Sequence, residues 1–493
     1  MDSDLACDFG LPDGGDLMGN KRVAALAWFS LALATVYFLH VPQESGVQKN
    51  VNPTAQVTNA ARRTAVRLTP EFNVFNFIGM GDIALLFDAH SPNGGSLYTI
   101  LNRSGQSDVA SFHFIADHVV WAKFSPNGSW LALERIEPGT TDLQRTLWLI
   151  SSNGQQRQQV ATGAQVPAGT WMPKGSTYLY GIHHLYTLRP LGSPRYLPFR
   201  FSGNATIRSI EFSPHGRTAA LLIRENASGT SGSYDEIGLW RRGARAVRPL
   251  VVVAPPNGLV LGPFSADGKS LFYWPVLVHA PGSASVAQSM LSVVTLSGQG
   301  ATVVTTPVEP GAIQPFGQNR ALVLVAGNSP STRVNLRLAI WRKGNMSMLP
   351  GDANAVELWP AVNPQATQIA FATAANPGWS TGGPQGVRSL QGQLQLAAYN
   401  LGSTRIHIIA AAGSGVSMPV YDATGRRIVY TQNGKVMWIA VDGKGVPYFV
   451  AGPALSQGSP QTAPNEQQPV VIADYLPAPD LSGQGHNHAR NFQ

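Results

Sequence analysis

Three short stretches place metal-binding side chains side by side: His183-His184, Asp88-Ala-His90 and His486-Asn-His488. A zinc site needs three or four nitrogen, sulfur or carboxylate ligands. None of the three stretches carries a further ligand in the same motif, so no metal or cofactor is expected. The lone cysteine, Cys7, rules out an intramolecular disulfide and any paired-cysteine metal site. No G-x-S-x-G elbow, H-E-x-x-H pair or phosphate-cradling Walker loop occurs. Acids such as Asp82, Asp88 and Asp117 are scattered, and only folding could assemble them. No catalytic residue is assigned from the sequence.

The positioning elements are far more legible than the chemistry. Charged residues make up only 13% of the 493, while glycine (51) and proline (36) are abundant. That balance suits many short strands and tight turns rather than helical bundles. The phrase FSPNG (124–128) returns as FSPHG (212–216) and FSADG (264–268). In each, a serine, a proline or alanine, an Asx or histidine and a glycine form a hairpin turn between two apolar runs. Worn copies follow the same plan, among them WMPKG (171–175), VNPQAT (362–367) and YDATG (421–425). A second phrase, an aromatic strand closing at a glycine turn, accompanies most copies: LWLISSNG (147–154), GLWRRG (238–243), AIWRKG (339–344) and MWIAVDG (437–443).

Turn and aromatic recur at fixed places in a period of 40–50 residues, which is the signature of a β-propeller. In the second unit the four strands are expected at 118–125, 129–136, 145–151 and 156–161. The predicted fold is all-β: eight four-stranded blades over 72–452, with seven blades plus an irregular N-terminal piece as the alternative. The recurrent tryptophans and tyrosines are expected to wedge between blades as core.

FSPNGSWLAL, FSPHGRTAALL and FSADGKSLFY, followed by LWLISSNG or MWIAVDG, resemble the WD40-like repeats of the TolB family. The resemblance covers most of 74–452 and is strongest in the second, fourth, fifth and last units, with phenylalanine where the family motif has tryptophan. It operates at the level of the repeat. It implies a propeller fold and a habit of binding protein or peptide partners.

Residues 23–41, VAALAWFSLALATVYFLHV, are apolar and long enough to span a bilayer, and Lys21 and Arg22 stand directly before them. The expected organisation is a cytoplasmic tail (1–20), a single-pass signal-anchor helix (21–42), a linker (43–71), the propeller, and a disordered C-terminal tail (453–493). The propeller would then lie outside the cytoplasm, in a bacterial cell envelope, and nucleic acid is not an expected partner.

Net charge is +8, of which the segment 189–248 supplies +6 through ten arginines and four acids. It is either a solvated strand surface or a face for anionic partners. Four consecutive units carry long insertions between their second and third strands, at 225–236, 279–289, 327–335 and 375–392. Loops of this kind at one end of a propeller carry binding. Trp379, Arg388 and Tyr234 lie in them and are the candidate binding residues. The expected function is that of a membrane-tethered binding or scaffold module for a protein, a peptide or an anionic envelope polymer. The alternative is a propeller lyase or hydrolase using acids around the central channel.

Overall fold

In the computed structural model of the chain, the described residues run from 70 to 477, excepting 74–79, 88–92, 103–109, 138–143, 199–204, 227–232, 255–256, 278–289, 299–301, 318–319, 328–334, 352–354, 375–377, 381–388, 392–393, 414–415 and 454–469. The anchor segment 23–41, Arg388, Asp88, His90 and His486-x-His488 all fall outside them. Among the described residues there is no helix long and apolar enough to cross a membrane.

All regular structure among the described residues is strand. β1 (Pro70–Phe72) precedes a first group of β2 (Gly81–Phe87), β3 (Gly95–Leu101) and the front of β4 (Ser111–Phe124). The rear of β4 opens a second group with β5 (Trp130–Ile136), β6 (Arg145–Ser151) and β7 (Arg157–Gly163). A third group holds β8 (Ala168–Trp171), β9 (Tyr178–Gly181), β10 (Leu185–Leu188) and β11 (Arg195–Leu197). The fourth holds β12 (Ala205–Phe212), β13 (Thr218–Asn226), β14 (Ser233–Arg241) and β15 (Val247–Val253). The fifth is β16 (Asn257–Phe264), β17 (Ser270–Leu277), β18 (Met290–Thr295) and the front of β19 (Thr302–Phe316).

β19 continues into the sixth group with β20 (Arg320–Gly327), β21 (Asn335–Arg342) and β22 (Asn345–Met348). The seventh is β23 (Val356–Val362), β24 (Gln368–Ala374), β27 (Leu394–Asn400) and β28 (Arg405–Gly413), and the hairpin β25 (Gly378–Ser380) and β26 (Ser389–Gln391) is inserted between its middle strands. The eighth is β29 (Ser417–Tyr421), β30 (Arg427–Gln432), β31 (Lys435–Ala440) and β32 (Tyr448–Pro453), with β1 paired outside β32. β33 (Val470–Pro477) returns to pair with β2 and completes the first group.

Each group is an antiparallel meander whose two apolar faces must be covered, and the neighbouring groups cover them. Ala84 and Leu86 share a core with Phe124 and Leu131, joining the first group to the second. Equivalent cores join each later group to the next. One more core packs Val429, Val436 and Val450 of the eighth group against Ile83, Leu85, Val470 and Ile472 of the first, so the array closes on itself. The first strands of successive groups also adjoin one another, as β8 does β12, β12 does β16, and β23 does β29. They therefore crowd the axis of a β-propeller. The aromatics of the second phrase sit in these shared cores as expected: Trp240 and Trp341 are buried, and Trp148 and Trp438 pack partly buried against them.

The tail expected to be disordered from 453 onward contains β33, which corrects both that assignment and the propeller boundary at 452. The run Val470-Val471-Ile472 is a strand in its own right, hidden behind a polar stretch (454–469). Val470 and Ile472 are buried, and the Tyr475 hydroxyl donates to the Met80 carbonyl at 2.5 Å. Closure is reinforced at the outer edge. Phe72 on β1 stacks on Phe112 of β4 at 4.6 Å and meets Phe87 and Tyr98 edge-on or tilted.

Candidate functional site

The repeated turns prove to be a structural device. In FSPNG the Trp130 N–H donates to Ser125 Oγ at 3.0 Å, and Ser125 Oγ donates to Asn127 Oδ1 at 2.8 Å. The Gly128 N–H closes the turn on the Ser125 carbonyl, with φ at 71°. FSADG repeats the arrangement: Ser265 Oγ donates to Asp267 Oδ1 and accepts from the Ser270 N–H. The worn copies keep the bond and change the residue. Asn363 Oδ1 accepts from the Gln368 N–H, and Asp422 Oδ1 from the Arg427 N–H. Even the aromatic phrase uses it, since the Gln156 N–H donates to Ser151 Oγ. These bonds hold the hairpins together.

At the opposite end, the links between second and third strands are markedly long only in the fifth group (278–289) and the seventh (375–393). Those expected to be long in the fourth (227–232) and sixth (328–334) are no longer than those of the first (88–94) and second (137–144). Tyr234 lies at the root of the fourth group's link, opposite Glu225 on the β13–β14 ladder, and its hydroxyl donates to Glu225 Oε2. That bond to a carboxylate, more than burial, pushes the Tyr234 phenol up to about 12. One register step inward, Arg224 forks onto Asp235 at 2.7 and 3.0 Å, and Asp235 Oδ2 accepts the Leu259 N–H of the next group. The root of this loop is therefore rigid. Trp379 sits on β25, paired with Leu390 of β26, at the tip of the seventh group's hairpin. Tyr234 and Trp379 belong to the fourth and seventh groups, so they mark two stretches of one rim rather than a single cluster.

The acids at the axis were missed as a set by sequence reasoning, because the strands that carry them are hundreds of residues apart. Asp474 on β33 accepts the Phe124 N–H of β4 at 2.6 Å. Burial holds its carboxyl above the usual range, and the nearby Lys123 ammonium partly offsets the rise. Glu211 on β12 is raised by burial in the same way and also feels Lys123. The Lys123 charge thus acts on both Asp474 and Glu211, and the first strands of three groups supply the three residues. Two other buried acids are tied into the walls: Glu134 to Arg145 at 2.7 Å, and Glu357 to the Leu338 N–H at 2.7 Å and Arg337 at 3.3 Å.

The His183-His184 pair comes apart. His183 Nδ1 lies 2.7 Å from the Ala205 carbonyl, linking the third group to the fourth, and His184 packs edge-on against Tyr196. Asp82 accepts the Asn102 N–H and Asp117 the Ser96 hydroxyl. Among the described residues no three histidines, cysteines or acids converge as metal ligands would.

No protein-family model matches the chain, and no curated protein matches it. Solved structures do. Dipeptidyl peptidase 4 of Porphyromonas gingivalis is similar at a TM-score of 0.49 and 8% identity, over 76% of this chain and 59% of that one. The chain thus spans about three fifths of that peptidase's length. The β-propeller domain of the trilobed protease of Pyrococcus furiosus is similar over 65% of this chain and 91% of its own, with a TM-score of 0.38 and 9% identity. A putative TolB of Agrobacterium tumefaciens is similar over 63% of this chain and 98% of its own, at 0.30 and 12% identity. At the level of the repeat, this chain resembles TolB-like propellers.

Proposed function

We propose that the chain is an eight-bladed propeller, tethered outside the cytoplasmic membrane by residues 23–41, which binds a protein or peptide of the cell envelope at its loop-bearing rim. Eight four-strand groups with eight shared cores support that blade count over seven. The observation that carries the binding role is the asymmetry between the ends. The links between second and third strands are short in the third and eighth groups, at 181–185 and 432–435. They are longest in the fifth and seventh groups, at 277–290 and 374–394, and the latter adds the hairpin β25–β26; the other four are intermediate. Tyr234 lies on the fourth group, next to the first of these two long links, and Trp379 and Arg388 lie within the second.

The test is a photo-crosslinking residue placed at Trp379 in the full chain, compared with one at the exposed Asn127 on the turn end. A single discrete adduct from position 379 and none from 127 is expected. Equal labelling at both positions, or none at 379, would sink the reading. Trp379→Ala should weaken the adduct from a probe at Tyr234 without changing the melting temperature.

One observation favours a second reading, an enzyme acting at the axis: the set of Asp474, Lys123 and Glu211, in which two acids are held toward their protonated forms. Raised carboxyls beside an ammonium suit general acid–base chemistry. Under this reading Asp474→Asn and Glu211→Gln abolish turnover of an envelope glycan or peptide. Under the binding reading both variants crosslink at 379 as the parent does.

A further inference from the structure

A cavity of about 440 Å³ lies at the turn end, between the fourth and fifth groups and remote from the loop rim. Its size falls within the usual range for small-ligand sites. Thr218 and Arg241 border it where β13 begins and β14 ends. Arg248 enters from β15, and Leu296 and Ser297 close it from the turn after β18. Leu239 gives the floor an apolar surface. No acid is among its described lining residues.

We propose that this cavity binds a phosphoryl group carried on a body the size of glycerol or a sugar. Four observations support this. First, Arg248 is already oriented, because its Nη2 donates to the Leu296 carbonyl across the group boundary. A guanidinium has five donors in a planar fork, so this bond leaves most of them for a ligand. Second, Arg241 presents a second fork from the neighbouring strand, and two forks suit the several oxygens of a phosphoryl group. Third, Asp267, the acid on the turn joined to this wall, is engaged within its own turn. Lys269 bonds the turn wall through its carbonyl to the Leu296 N–H, and Asp267 beside it accepts from Ser265 Oγ and the Lys269 N–H. Fourth, Arg217, Arg242 and Arg245, each next in sequence to a lining residue, are exposed, in the segment that supplies most of the net charge. The volume exceeds what a bare phosphate fills, and the floor is apolar, which calls for an attached carbon skeleton.

The site owes its walls to two groups, so the repeat alone does not make it. It requires the arginines of the fourth unit against the turn of the fifth. It does not depend on the rim reading, because it lies at the other end of the barrel of strands.

The experiment is calorimetric titration of the full chain at low salt with inorganic phosphate, glycerol 3-phosphate, glucose 6-phosphate and a poly(glycerol phosphate) chain. Saturable binding of an organic phosphate, tighter than inorganic phosphate, is expected. Each of Arg241→Gln and Arg248→Gln should weaken it roughly tenfold, the scale of losing charge-assisted hydrogen bonds. Arg248→Lys, which keeps the charge and loses the fork, should weaken it several-fold. Arg405→Gln, on the exposed surface of the seventh group, should leave it unchanged. Binding of the monomers marks a free ligand, and binding of the polymer alone with the same arginine dependence marks a repeat of an envelope polymer. No saturable binding by any probe, or equal loss in Arg405→Gln, overturns the proposal. Unchanged melting temperatures for the glutamine variants keep a folding defect from imitating a binding defect.

Discussion

The two ends of this propeller are built on opposite principles. At the turn end, every well-formed hairpin solves one problem in one way: a side-chain oxygen accepts the N–H five residues on, and the chain turns tightly. At the loop end, the links differ in length from group to group, and Arg224 and Asp235 brace the root of the fourth. Uniform bonding buries backbone polar groups that would otherwise be orphaned, and this sets stability. Variable length leaves surface free to diverge, and this is where recognition can accumulate. The phosphoryl cavity adds a refinement. Where the arginines of the fourth group meet the turn of the fifth, the uniform end carries a candidate site of its own.

The largest expected effect comes from breaking closure, which belongs to neither end. A chain stopped at 452 lacks β33, and with it the buried Val470 and Ile472 and the ladder to β2. Each buried aliphatic side chain is worth about 1.5–3 kcal/mol, and the stripped edge of β2 would be exposed as well. The total loss is comparable to the whole stability of an ordinary domain. The chain ending at 452 should aggregate or be cleaved rapidly by protease. One ending at 480 should melt like the parent, and similar melting of the two would show that β33 contributes little.

The hairpin turns come next. Ser125→Ala and Ser265→Ala each remove a buried acceptor, and a cost of about 1–2 kcal/mol is expected in urea denaturation. Ser297→Ala, at a solvent-facing turn, should cost less than about 0.5 kcal/mol. If all three cost the same, the uniform end is not held by this bond.

The turns were legible in the sequence because their chemistry is local: the serine, the Asx and the glycine fall within five residues. The strands of the second unit were placed to within a residue or two for the same reason, apart from β4, which reaches back to Ser111 and serves two groups. Closure was not legible. Whether a short apolar run such as 470–472 becomes a strand depends on a partner almost 400 residues away. Nor were the bulges. Most first strands shift register against their second strands, between Val119 and Trp121, Ile207 and Ser209, or Leu358 and Ala361. Such bulges sharpen twist and arise from crowding at the axis rather than from a sequence signal. Of the candidate residues, Tyr234 could be chosen for its loop, but its tie to Glu225 is a cross-strand relation visible only once the register is known. The Asp474–Lys123–Glu211 set was invisible because three separate groups supply it.

That axial set allows the comparison to be sharpened by pH. Asp474 has a folded-state pKa above its unfolded value, so the folded chain holds its proton more tightly than the unfolded chain does. Its ionisation therefore costs stability. The cost is absent below the unfolded pKa, grows as pH rises toward the folded value, and is complete above it. Asp474→Asn keeps an acceptor for the Phe124 N–H and removes the charge. The melting temperature of the parent should fall between about pH 4 and neutrality more steeply than that of Asp474→Asn. Parallel curves would mean that the Asp474 carboxylate is fully solvated or fully compensated.

The smallest effect is expected at the loop end. Tyr234→Phe removes the hydroxyl that donates to Glu225 near the strand tip, where solvent screens the pair, so the change in stability should stay within about 0.5 kcal/mol. The bond is better read by titration. The Tyr234 phenol should ionise near pH 12, and Glu225→Gln should bring it back toward the ordinary tyrosine value, because a neutral acceptor opposes the phenolate far less than a carboxylate does. A Tyr234 titration that ignores Glu225→Gln would mean that the loop root is held by Arg224 and Asp235 alone, leaving the rim freer still to vary.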